Sequence, residues 1–151
     1  MVSKMVSGFH PRCWAICGAI LCALPVSACD LLRFENAWIR EPPPVSKVAA
    51  GYLSINNDGD SDIKITDIEG TCCNHLMFHE TITENGNSQM RHLNDLIVPA
   101  KSEIKLAPLG KHLMLMGVKQ RLADGDIIEI AFSCGPTNQT SVPFSVRKTA
   151  K

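Results

Sequence analysis

Leu76-Met77-Phe78-His79-Glu80-Thr81-Ile82, the turn Glu84-Asn85-Gly86-Asn87 and Ser88-Gln89-Met90-Arg91-His92-Leu93 decide how this chain folds. Asn-Gly between two strand-like runs is a strong hairpin signal, because both residues tolerate the positive φ that a two-residue turn requires. Side chains two apart in a strand share a face. His75, Met77 and His79 therefore lie on one side of the first arm. The turn brings the second arm back so that position 79 falls near 90 or 92.

The same pattern continues outward. Residues 36–40 read as a strand stopped by Glu41-Pro42-Pro43-Pro44, and prolines cannot continue a ladder. Tyr52, Ser54 and Asn56 alternate with Leu53 and Ile55 ahead of Asn57-Asp58-Gly59-Asp60. Ile63, Ile65 and Ile68 mark further strand, and residues 103–106, 112–116, 127–132 and 142–146 supply the rest. Pro143 predicts an edge position for the last of these. Gly, Pro, Asn and Asp interrupt every window before three helical turns accumulate. About seven to nine short strands with regular turns predict an all-β Greek-key sandwich or barrel, mainly antiparallel.

Residues 1–28 read as an export signal: Lys4, His10 and Arg12 precede an apolar run over 14–26, and Val26-Ser27-Ala28 are small residues before Cys29. Val26-Ser27-Ala28-Cys29 resembles a bacterial lipobox, making Cys29 a candidate lipidation site. Ordinary cleavage after Ala28 and an uncleaved anchor are the alternatives, and all three place the domain outside the cytoplasm, as a periplasmic protein. Residues 29–34 are then expected to be a tether, 35–148 the folded domain and 149–151 a tail. The 15 basic and 15 acidic residues balance; without the leader's Lys4 and Arg12 the remainder is slightly acidic. That offers nucleic acid no electrostatic footprint, and any membrane attachment would come through a lipid at the N-terminus.

Of seven cysteines, Cys13, Cys17 and Cys22 sit in the leader and Cys29 at the processing site. Cys72, Cys73 and Cys134 remain, and an oxidising compartment predicts one disulfide, Cys134 with Cys72 or Cys73. The vicinal pair has other readings, as inert buried thiols or a second soft site.

Beyond the leader every His and Met falls between His75 and Met116. His79, Met90, His112 and Met114 stand out as candidate metal ligands, with Met116 a candidate auxiliary and His75, Met77 and His92 as neighbours. His112, Met114 and Met116 share one strand face and Leu113 and Leu115 the other, so burying the leucines leaves the soft row outside. Thioether with imidazole suits copper, Cu(I) above all and Cu(II) second; zinc would more usually be given thiolate, imidazole or carboxylate. Thioethers also survive an oxidising compartment, where thiols are lost to disulfides.

The spacing His79-x10-Met90-x21-His112-x-Met114 resembles the metal motif of the periplasmic PCuAC copper chaperones. The resemblance extends to Asn36-Ala37-Trp38-Ile39-Arg40, Ala49-Ala50-Gly51-Tyr52-Leu53, His112-Leu113-Met114-Leu115-Met116-Gly117 and Gly125-Asp126, and covers about residues 34–148. It implies a cupredoxin-like β-sandwich with an exposed Cu(I) site made by His79, Met90, His112 and Met114. It also implies a copper-accepting partner, such as an oxidase subunit towards the CuA centre of cytochrome c oxidase, or another copper chaperone. Cys72-Cys73 and Cys134 depart from the family pattern. A storage module and a purely structural sandwich are the competing readings, none of them an enzyme. An electron-transfer copper site would need a Cys and a His in a closely spaced C-terminal loop, yet no His follows His112.

Overall fold

The computed structural model describes residues 28–149; the export signal apart from Ala28, and the end of the tail, lie outside the described residues. A single 3-10 turn, Ala28–Leu31, leads into eleven strands. These are β1 (Leu32–Arg40), β2 (Val48–Asn57), β3 (Ile63–Ile65), β4 (Asp67–Glu69), β5 (His75–Glu84) and β6 (Asn87–Leu93), then β7 (Leu96–Val98), β8 (Ser102–Leu106), β9 (Lys111–Met116), β10 (Ile127–Ser133) and β11 (Gln139–Arg147). The large sheet runs β4-β10-β11-β1-β2-β9-β5-β6, and β3 pairs with β7 apart from it. Long β2 pairs with β1 on one side and on the other serves two partners, β9 along Val48–Gly51 and β8 along Leu53–Asn57. No described helix is long and apolar enough to cross a membrane. The all-β sandwich read from the alternation is the fold observed.

Alternation explains which faces close. Ile128, Ile130 and Phe132 of β10 and Leu113 and Leu115 of β9 point into the core. Phe132 sits at its centre, with ring centroids 4.8 Å from Phe34, 6.2 Å from Phe144 and 6.5 Å from Phe78. Phe78 is the inward neighbour of His79, so the core packing that holds β5 down also presents His79 outward.

Three expectations need correction. The segment 29–34 is no tether: β1 begins at Leu32, Leu32 is buried, and the Leu31 carbonyl accepts the Asp58 N–H at 3.2 Å. Cys134 pairs with Cys29, across a Cα–Cα distance of 5.5 Å, and with neither Cys72 nor Cys73. The physical reason lies in what anchors each loop. Lys119 N–H donates to the Cys72 carbonyl and Asn74 N–H to the Met116 carbonyl, pinning the vicinal pair at the end of β9. Cys134 instead opens the β10–β11 turn beside the N-terminal 3-10 turn. The Cys29 sulfur in that disulfide is the one a lipid thioether would need, so the two states exclude each other.

The third correction concerns Pro143. Strand β11 lies between β10 and β1, inside the sheet. Its parallel ladder with β1 begins only at Ser145, so Pro143 lies beyond that ladder, and its missing N–H interrupts no bond to β1. This β1–β11 ladder is the parallel exception among antiparallel pairings.

Candidate metal centre

The Asn85-Gly86 turn has φ of 50° and 80° at its two residues, and Glu84 pairs with Asn87 across it. That two-residue turn sets the β5–β6 register, placing His92 opposite His79 and Met90 opposite Thr81. On its other side β5 pairs with β9, so that His79 faces His112, Met77 faces Met114 and His75 faces Met116. The first two pairs oppose like donors, imidazole to imidazole and thioether to thioether, while the third sets imidazole against thioether. Glu80 secures this register from the opposite face. Its carboxylate accepts Arg91 of β6 at 2.7 Å and Lys111 of β9 at 2.8 Å, bridging the three strands one residue from the histidine row. Lys111 first and Arg91 second hold the Glu80 carboxyl below its ordinary range.

The imidazole rings of His79 and His112 lie 6.0 Å apart, centroid to centroid, and those of His79 and His92 5.5 Å. His112 is buried, and its Nδ1 lies 3.0 Å from the Gly110 carbonyl. A carbonyl only accepts, so Nδ1 carries the proton and Nε2 keeps its lone pair for an ion, the usual outer-shell arrangement of a metal-binding histidine. Buried His79 Nδ1 has no hydrogen-bond partner. An unpaired buried polar atom is costly and uncommon, and a lone pair there is available to a metal. Burial, then the proximity of His112 and His92, lowers the His79 pKa and favours the neutral ligand form.

Met90, His112 and Met114 line one cavity of about 240 Å³, walled by Pro42, Pro43 and Ala50. Ala50 pairs with Met114 across β2–β9, and its small side chain leaves space there. The triple-proline segment, which reads as a loop stiffener, is therefore a wall of the site. Met90 is 66% exposed and free to swing. His79 flanks His112 outside that cavity. Met116 is four residues along β9 from His112, roughly 13 Å at strand rise, and faces exposed His75 instead. This separates it from the other four.

Among the described residues, no three His, Cys, Asp or Glu side chains converge to hold an ion. As these side chains stand, a metal at the histidine pair would take its further ligands from thioethers. The His79–His112 pairing was not legible from spacing alone. Its signal was the likeness of Met77-Phe78-His79 to His112-Leu113-Met114, which match donor for donor when laid antiparallel. The roles of Gly110 and Glu80 carried no such signal.

The family model described as "Putative lipoprotein LpqE-like" matches residues 32–146. A Leifsonia xyli subsp. xyli protein named "Putative lipoprotein Lxx21020" is 32% identical over 122 residues, 79% of this chain and 72% of that protein. The structure is similar to a copper-bound PCuAC domain from PmoF2, with a TM-score of 0.67 at 17% identity over 79% of this chain and 94% of that one. It is also similar to the Cu(I) form of DR1885 from Deinococcus radiodurans, with a TM-score of 0.63 at 27% identity over 86% and 83% of the two chains.

Proposed function

This chain belongs to the LpqE-like family, and from that membership and the donor geometry we propose that it is an extracytoplasmic copper carrier. Its cargo is Cu(I), held by His79, Met90, His112 and Met114 and passed to a protein acceptor. The observation that carries this reading is the facing pair His79–His112, with one orphaned nitrogen, beside a cavity lined by Met90 and Met114. The similarity to the Cu(I) form of DR1885 supports it. A filled d-shell imposes no strong geometric demand, so a distorted set of two imidazoles and two thioethers suits Cu(I).

The physical logic of transfer follows from exposure. The thioethers are neutral and need no proton when copper leaves, and Met90 stands in solvent. An acceptor's ligand replaces Met90 first, Met114 next, and the histidines last, while Glu80 keeps the strands in register. Export agrees with the Cys29–Cys134 pairing, since disulfides persist in oxidising compartments. We propose as acceptor a copper-requiring oxidase subunit, towards its CuA centre, or a second copper carrier.

The test is a Cu(I) titration under reductant against a chromogenic chelator, with Met114→Leu and His79→Ala. Each variant is expected to bind about tenfold or more weakly, about 1.4 kcal/mol or more. Unchanged competition in both would overturn the assignment.

A further inference from the structure

A third imidazole stands in the same row as the two proposed histidine ligands. His92 on β6 is directly opposite His79, on the other side of β5 from His112, so three adjacent strands present His92, His79 and His112 side by side. The ring separations of 5.5 Å and 6.0 Å carry chemical meaning. With a metal–nitrogen bond of about 2.0 Å, two imidazoles sharing one ion have centroids about 4.5 Å apart at a right angle and about 6.3 Å apart when trans. Both observed values fall inside that span.

Resting on the carrier reading above, we propose that His92 is the third nitrogen donor of a Cu(II) state at this site. His92, His79 and His112 hold the oxidised ion, while Met90 and Met114 replace His92 as partners for the reduced one. The ion preferences differ in the required direction. Cu(II) favours imidazole nitrogen in a tetragonal arrangement, and Cu(I) accepts thioethers and low symmetry. The outer strands of the three lie about 9.6 Å apart, so the flanking imidazoles lean inward to take positions about His79, with water completing the set. His92 is exposed, on the last strand of the sheet, and has the freedom to turn inward; as they stand the three side chains do not converge. The charged residues of the neighbouring row, Glu80, Arg91 and Lys111, bond one another on the opposite face and not the imidazoles.

The experiment adds one equivalent of copper(II) sulfate to the exported protein. It counts coupled nitrogens by electron paramagnetic resonance and measures Cu(II) and Cu(I) competition separately, in the parent, His92→Leu, His92→Gln and Met114→Leu. Both His92 variants are expected to lose one coupled nitrogen and to bind Cu(II) at least tenfold more weakly, with Cu(I) binding changed less than about twofold. Met114→Leu is expected to do the reverse. A Cu(II) spectrum and affinity indifferent to His92, or an equal loss for both oxidation states, overturns the proposal. Failure of the carrier reading itself is distinct, because it appears as Cu(I) competition insensitive to His79 and Met114.

Discussion

Substituting Cys134 by Ser opens a covalent loop with a sequence separation of 105 residues. Closing a loop of that length removes chain entropy from the unfolded state equivalent to about 4.7 kcal/mol at 25 °C, and native disulfides removed from small domains typically cost about 2–5 kcal/mol. Cys29 is buried at 1% exposure, so the variant also leaves a thiol in an apolar site. We expect a loss of about 3–4 kcal/mol, or a thermal midpoint lower by about 10–20 °C, and the same loss for Cys29→Ser. Urea unfolding of the exported protein measures it, with reductant expected to bring the parent down to the variants. Cu(I) competition should be unchanged, because three strands separate β10 from β9 in the sheet. Intact mass supplies the second readout. A chain that carries the disulfide is lighter by two hydrogens and has no lipid on the Cys29 sulfur. A diacylglyceryl group on Cys29 together with Cys134→Ser as stable as the parent would refute the reasoning, since one sulfur cannot serve both bonds.

Two further outcomes follow from single groups. The lowered His79 pKa means the unfolded chain takes up a proton near pH 6.5 while the folded chain resists it. Apo stability should hold above that pH, fall as the pH drops through it, and level off below the folded pKa. Urea midpoints between pH 5 and 7.5 should show a weaker slope in His79→Gln, and an identical slope would remove His79 as its source. Cys72 and Cys73 are buried with sulfurs 3.4 Å apart, and burial first, then Cys72, pushes the Cys73 thiol up to about 12. At pH 8 a maleimide should label Cys73 only as fast as the protein unfolds; rapid labelling of the native protein would show an open loop.

The hairpin, the inward leucines of β9 and the all-β class were legible because each rests on a local rule. Asn85-Gly86 demands positive φ, and period-two alternation assigns Leu113 and Leu115 to one face and His112 and Met114 to the other. The cysteine partner was misread because pairing depends on where two loops end in space, and nothing near Cys29 in sequence announces Cys134. Pro143 was misplaced for a related reason: a proline is excluded only where its N–H would be used, and that depends on where the neighbouring ladder stops.

By itself the sequence determined which donors this protein has and which face each strand offers, because side-chain chemistry and two-residue periodicity are properties of the chain. Only the tertiary structure decided which donors meet. The β5–β9 pairing sets His79 against His112, the hairpin adds His92, the proline segment walls in Met90 and Met114, and Met116 falls to another row. Register between strands distant in sequence is chosen by the common core, by Phe78 and Leu113 packing beneath their histidine neighbours. A slip of one residue would turn every donor inward. The chain carries the candidate ligands, and the shared core sets their strands side by side.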